Sequence, residues 1–277
     1  MLSDVARAAG AIAARGMTLG TPLVIAEETE STNDDAKRGA REGAPHGALW
    51  IAEAQSSGRG RQGRTWSSPP GENLLFSVLL RLRCAPARVP PVSLACGLAV
   101  RDAVARAIGA ADADVVVKWP NDVLVRSARD GVLRKVAGIL VESGIAGSKV
   151  EYVVVGIGIN VHTRTFPEDL VPIATSIALE REARPGAPRA ELDRGEILAE
   201  VLSGLDRDVD HVAHKGLGLI HGRLTRHDAL FGQRVESAEG DLRGIARGVD
   251  LEGRLLVETD DGGLRRVSAG EVRLRLA

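Results

Sequence analysis

The sequence predicts a mixed α/β domain over residues 1–230, followed by a small all-β unit over residues 231–277. Three observations carry that division. Apolar runs at 23–27, 48–54, 73–82, 115–125, 135–142 and 151–161 read as strands. Apolar stripes of helical period occupy 92–108 and 197–209. From about residue 231 the texture changes to short strand-like runs divided by Gly/Asp turns, the pattern of a small barrel.

Composition narrows the classes. The chain has 277 residues, 44% of them hydrophobic, enough for a sizeable core. Its 36 basic and 37 acidic residues give a formal charge of −1, which argues against a general nucleic-acid binder. No apolar run is long enough to span a bilayer. The N-terminus carries Asp4 and Arg7 and no secretory core, so a cytoplasmic location is expected. Cys84 and Cys96 lack metal-ligand spacing; Cys96 falls on the stripe Val92, Cys96, Val100, Val104, Ile108 and should pack in the core. The six histidines show no metal spacing, and no metal-ligating residue is assigned.

Residues 1–20 are Ala/Gly/Arg-rich and suit a short helix. A helix-turn-helix needs two helices before the first strand, Leu23–Glu27, and that stretch is too short, so DNA binding is not expected. Glu30-Ser31-Thr32-Asn33-Asp34-Asp35 reads as a helix start, with Ser31 or Thr32 as N-cap. Capping alone explains these residues. Equally, hydroxyls and an amide at a helix N-terminus can hold a polar ligand head.

The stretch Gln55-Ser-Ser-Gly58-Arg59-Gly60-Arg61-Gln62-Gly63-Arg64-Thr-Trp66 has no apolar period. Its glycines and arginines predict a mobile cationic loop between two core strands, either a solvated turn or a clamp for a small anion. Gly58-Arg-Gly60-Arg-Gln-Gly63 matches the dinucleotide fingerprint in spelling only. Thr65–Gly71 cannot open the helix that motif requires, and no Gly-Lys-Ser/Thr closes a phosphate loop.

Leu74, Phe76, Val78, Leu80 and Leu82 predict one apolar strand face, and Pro90-Pro91 opens a helix to Ile108 with Arg101, Asp102 and Arg106 on its wet side. Lys118 follows three valines at the end of a core strand, before the turn Trp119-Pro120-Asn121-Asp122. The plain alternative is a hairpin whose lysine snorkels to the surface. Residues 126–134 suit a hairpin tip, with 135–142 and 151–161 as neighbouring strands. On the second, Gly156, Gly158 and Asn160 share a face and leave a trough for a flat ligand or a close-packed helix. A short helix near Ser176–Glu182, an amphipathic helix over Arg194–His211 and five short strands from Gln233 to Leu276 complete the prediction.

Taken together, Glu30-Ser-Thr-Asn33, the Gly58–Trp66 loop, Lys118-Trp-Pro-Asn-Asp122, Lys135-Val-Ala-Gly-Ile-Leu-Val-Glu142 and Gly156-Ile-Gly-Ile-Asn160-Val resemble biotin protein ligases. Each motif alone is weak; five in the family's order are specific, and the resemblance runs over about residues 23–277. It matches the monofunctional kind, without the DNA-binding repressor domain of some members.

The resemblance implies a class II synthetase-like mixed sheet with helices and a C-terminal SH3-like β-barrel. It also implies a reaction: biotin and ATP give biotinyl-5′-AMP and pyrophosphate, and the biotinyl group passes to a carrier lysine. Mg²⁺ would accompany ATP. The partner would be the biotin carboxyl carrier domain of acetyl-CoA carboxylase or of another biotin-dependent carboxylase, with no DNA or membrane partner. The resemblance leaves room for a homodimer.

By the same resemblance, Ser31, Thr32, Asn33 and Gln55 bind the ureido end of biotin. Arg59, Gly60 and Arg61 close over biotin and phosphate, and Lys118 bridges carboxylate and phosphate oxygens. Arg64, Trp66, Asn121, Lys135 and Asn160 serve ATP or the adenylate. Gly138, Gly156 and Gly158 line the floor, and Asp122 orients Lys118 or holds Mg²⁺. Two rivals stand: a lipoate ligase, and a non-catalytic protein that sequesters biotin or its adenylate.

Overall fold

The computed structural model describes residues 4–238, 240–270 and 272–274. Seven strands form the main sheet: β1 (Leu23–Thr29), β2 (Leu49–Gln55), β3 (Leu74–Leu80), β4 (Val115–Lys118), β5 (Asp122–Arg126), β6 (Leu133–Ala146) and β7 (Lys149–Ile159). Their order is β1-β2-β3-β7-β6-β5-β4, with β1 parallel to β2 and every other pair antiparallel. The turn predicted at Pro120-Asn121 joins β4 to β5, the tip predicted over 126–134 joins β5 to β6, and β6 and β7 are neighbours as expected.

Strand alternation sorts the residues by face. Leu74, Phe76, Val78 and Leu80 of β3 join Val153, Val155, Ile157 and Ile159 of β7 in the large core cluster. That face is covered by α3 (Val92–Ile108) and α5 (Arg194–Lys215), with α4 (Ile177–Glu182) packed on α3 and α1 (Asp4–Ala14) on α5. The opposite face carries α2 (Thr32–Arg41), seated on Ala48, Leu79 and Val154 through Ala36 and Ala40. Beyond the N-terminus of α2 no helix among the described residues covers this face, and Gly138 of β6 and Gly158 of β7 lie there.

Two expectations are corrected. Arg101 is not on a wet side: it is 5% exposed, and its guanidinium donates to the carbonyls of Val115 and Asp112 and pairs with the Asp112 carboxylate. It ties the middle of α3 to the start of β4, so a charge was spent on a junction and periodicity could not show it. The helix predicted over Arg194–His211 continues to Lys215, and α6 (His221–Arg226) follows.

The C-terminal strands β8 (Arg234–Ser237), β9 (Arg243–Val249), β10 (Leu255–Thr259), β11 (Leu264–Val267) and β12 (Val272–Leu274) form one antiparallel sheet in the order β11-β10-β9-β8-β12. Residues 275–276 of the predicted last strand lie outside the described residues. Val235, Ala246, Val249, Leu255, Val257 and Val272 belong to the same hydrophobic cluster as the main sheet. The indole of Trp119 donates to the carbonyl of Gly253 at 3.0 Å. The turn after Lys118 is thereby anchored on the second sheet.

Candidate active site

The uncovered part of the main sheet is the floor of a cavity of about 690 Å³. Its geometry follows from strand register. Lys118 pairs with Asp122, Asp122 with Gly138, Gly138 with Gly158, and Gly158 with Leu75. This row crosses five strands, places a lysine at one end and leaves bare backbone in the middle. At ~4.8 Å per strand, Lys118 is about 14 Å from Gly158. A second row, Leu140, Gly156 and Ser77, runs beside it toward the N-terminus of α2.

The polar end of the cavity is built at that N-terminus. Ser31 occupies the N-cap position but makes no side-chain cap bond. Gln55, from the end of β2, does the capping instead: its Oε1 accepts from the Thr32 N–H at 2.8 Å. The Ser77 hydroxyl donates to Asn33 Oδ1 at 2.6 Å, with Thr32 Oγ1 2.8 Å from it. Asn33 Nδ2 donates to Glu142 Oε2 at 2.7 Å. Ser31, Thr32 and Asn33 are all under 5% exposed. A Cβ on Gly156 would collide with the Asn33 amide, so glycine is what lets Asn33 lie flat on β7.

The trough predicted over Gly156 and Gly158 therefore has occupants from the chain itself, Asn33 over the first and the Trp66 indole over the second. A Cβ on Gly158 would lie 2.5 Å from the Trp66 ring, and one on Gly138 would meet the same ring at 3.0 Å. Lys135 Nζ sits 5.4 Å from the indole centroid, within cation–π range. Trp66 Nε1 is buried with no hydrogen-bond partner and lies against Gly158.

The arginine loop closes over the polar end. Gly60 N donates to Arg64 O at 2.7 Å and Trp66 N to Gly58 O at 2.9 Å, so its two limbs pair. Its tip, Arg61–Gly63, is a single 3₁₀ turn in which Gln62 has φ 56° and Gly63 φ 72°. Gln62 holds a left-handed conformation uncommon for a residue with a Cβ, a local cost of the tight tip. Arg61 donates to Asn121 Oδ1 at 3.4 Å. Asn121 Nδ2 in turn donates to Ile139 O at 2.9 Å, which fixes the amide against β6.

All the predicted site residues border this one cavity: Ser31, Thr32, Asn33, Gln55, Arg59, Gly60, Arg61, Arg64, Trp66, Lys118, Asn121, Asp122, Lys135, Gly138, Gly156, Gly158 and Asn160. Several are committed differently from expectation. Asp122 pairs with Lys135 at 2.7 Å. Asn160 spends its amide donor on Thr175 O at 3.0 Å and so holds the segment that follows β7. Arg59 is bound to Asp34 rather than aimed at the floor. The structure also adds residues that had no sequence signal. Phe166, Leu170 and Ile173 wall the cavity near Lys135 from a stretch without period. Asn73 joins both sides of the mouth, donating to Ser68 Oγ while its Oδ1 accepts from Val161 N and Thr163 Oγ1.

Comparison with known proteins decides the family. Residues 25–160 match the Biotin/lipoate A/B protein ligase family, and residues 231–275 match the Biotin protein ligase C terminal domain. A Mycobacterium tuberculosis protein named biotin--[acetyl-CoA-carboxylase] ligase is 36% identical over 254 residues, which cover 90% of this chain and 88% of that one. The chain belongs to the biotin protein ligase family. The bifunctional ligase/repressor BirA of Bacillus spizizenii is 30% identical to this ligase over 263 residues, 92% of this chain and 75% of the relative. A solved structure, biotin protein ligase from Aquifex aeolicus in complex with biotin and ATP, superposes with a TM-score of 0.73 at 28% identity, covering 93% and 100% of the two chains. The appended antiparallel sheet of this ligase falls within the second family match.

Proposed function

We propose that this ligase joins biotin to ATP as biotinyl-5′-AMP with release of pyrophosphate, and then transfers the biotinyl group to a lysine of a biotin carboxyl carrier domain. The observation that carries the reading is the shared floor: a buried polar pocket at the start of α2 and a lysine at the end of a rigid strand border one cavity, under one arginine loop.

A neutral, hydrogen-bonding ring suits Ser31, Thr32, Asn33 and Gln55, which offer hydroxyls and amides and no net charge. The ring's carboxylate arm would then run along the bare glycine row toward Lys118. In the first step a carboxylate oxygen attacks the α-phosphorus and pyrophosphate leaves. Charge builds on the phosphoryl oxygens where Lys118 offers a fixed cation and Arg61 one that loop closure brings into place. In the second step the carrier amine attacks the acyl carbon, AMP leaves and the amine gives up a proton. Closure of the loop keeps water from the mixed anhydride between the two steps. Trp66, Lys135 and the Phe166–Ile173 wall suit the adenosine end, through an aromatic face and apolar contacts.

Mg²⁺ enters with the nucleotide. Among the described residues no cluster of His, Cys, Asp or Glu could hold a metal, and Asp122, the one carboxylate on the cavity wall, is paired with Lys135. A protein-built metal site does not fit, and no step is assigned to one. We assign residues 1–230 to a catalytic domain and 231–277 to an SH3-like β-barrel domain packed on it, and expect a cytoplasmic enzyme that binds no DNA. A homodimer is compatible with this reading. No helix of the described residues is long and apolar enough to cross a membrane.

Pyrophosphate release tests the reading. Biotin with MgATP should yield one pyrophosphate per enzyme in a burst without any carrier. Lipoate should give none. A larger burst with lipoate would reassign the pocket to the rival acid, and binding of biotin without pyrophosphate would favour the sequestering protein.

A further inference from the structure

Arg59 was expected over the phosphate, yet its side chain is engaged elsewhere. Its guanidinium makes two parallel hydrogen bonds to Asp34, both 2.7 Å, and lies 3.4 Å from Glu142 Oε2. Lys37 closes the other side, 2.8 Å from Asp34 Oδ1 and 2.9 Å from Glu142 Oε1. Two cations and two carboxylates from the loop, α2 and β6 thus form one ring. A fork-to-fork arginine pair inside a network is the surface arrangement that does contribute, where isolated pairs contribute little.

The charge states agree. The bond from Arg59 holds the Asp34 carboxyl below its ordinary range against a smaller effect of burial, with Lys37 adding to it. Burial pushes Glu142 up, but Lys37, Asn33 and Arg59 together outweigh it and leave it lowered. Neither carboxylate borders the cavity, so neither is placed to touch a bound ligand.

We infer that Arg59 is a latch that fastens the 58–66 loop over the polar end of the cavity, with Asp34 and Glu142 as its seat and Asp34 as a positioning residue. The inference rests on the adenylate reading of the cavity. Arg59 forms a backbone bridge with Thr65, so anchoring its side chain restrains both limbs of the loop at once. The tip that carries Arg61 hangs from that anchor. Asn33 and Arg59 also converge on one oxygen, Glu142 Oε2. Occupation of the polar pocket and closure of the loop are thereby coupled through a single carboxylate.

Dissociation of biotinyl-5′-AMP, supplied ready-made and followed by stopped flow, tests this whether or not the protein makes the adenylate. Asp34→Asn and Arg59→Glu should each release it about tenfold faster, the order expected of one networked bidentate pair. Release from the wild type should accelerate between low and high salt, and Asp34→Asn should remove that dependence. The exchange Asp34→Lys with Arg59→Glu should recover most of the retention, a rescue that a purely structural role would not give. Wild-type release rates in both single variants, or an exchange as leaky as the two single effects combined, would overturn the latch. Pyrophosphate release measured in parallel reports separately on the functional reading.

Discussion

Lys118 stands one residue after Val117, whose N–H donates to His227 O at 2.8 Å and whose carbonyl accepts from Ala229 N at 2.9 Å. The chain crossing toward the second sheet therefore pins the outer edge of β4, and the lysine projects from a fixed backbone. Lys118→Ala should slow single-turnover adenylate formation by ~10²–10³, roughly 3–4 kcal/mol, because it removes a preorganised charge at the reacting atoms. Biotin affinity should change far less, since the polar pocket lies several strands away. Adenylate formed at the wild-type rate by Lys118→Ala would sink that assignment. The residue was legible in the sequence because a lysine directly after three valines needs a reason. Arg101 was not legible: a helix surface position and a buried junction look identical when the partner, Asp112, belongs to a turn.

The arginine loop and the glycine strands set the next scale. Arg61 reaches the cavity from a loop tip held by a left-handed Gln62, so its contribution depends on loop closure. Ordering a loop costs roughly 1–2 kcal/mol per residue, and the bound adenylate is what offsets it. Arg61→Ala should therefore form biotinyl-AMP but lose it to solvent, seen as biotin on bystander lysines; retention for as long as the wild type would contradict this. Gly158→Ala tests the floor. A methyl 2.5 Å from the indole must push Trp66 off the sheet, which should shift tryptophan fluorescence and weaken ATP binding with little effect on biotin. An unchanged emission spectrum and ATP affinity would show that the ring can yield in place. That a trough existed was legible from Gly156, Gly158 and Asn160 on one strand face. That Asn33 and Trp66 fill it was not, because both arrive from segments distant in sequence. Asp34 was equally hidden, since an acid in a first helical turn is ordinary.

For the molecule as a whole, the two sheets meet at residues 227–229, and a buried acid sits there. Asp228 Oδ1 accepts from Leu230 N at 2.8 Å, while Oδ2 is buried without a partner. Burial raises its carboxyl to about 6, against a smaller pull from the backbone N–H groups of Leu230 and Phe231. The folded state holds this proton more tightly than the unfolded state, so through this group stability falls as pH rises from about 4 to about 6. Asp228→Asn should then stabilise the protein by roughly 1–3 kcal/mol at pH 7.5 and by almost nothing near pH 3. Urea midpoints at the two pH values check it, and an equal effect at both would mean that the buried charge is not the cause. The C-terminal sheet itself was legible, because short strands between Gly/Asp turns are a local signal. Its grip on the turn after Lys118 through Trp119 and Gly253 was not, and the wall at Phe166–Ile173 left no period to read.

One measurement bears most directly on the account as a whole: the intact mass of a biotin carboxyl carrier domain incubated with this protein, MgATP and either biotin or lipoate. The account predicts a single biotinyl addition, confined to the carrier's target lysine, absent without ATP and nearly absent with Lys118→Ala. Lipoyl addition equal to or greater than biotinyl addition, or a carrier left unmodified while biotin binds, would contradict it.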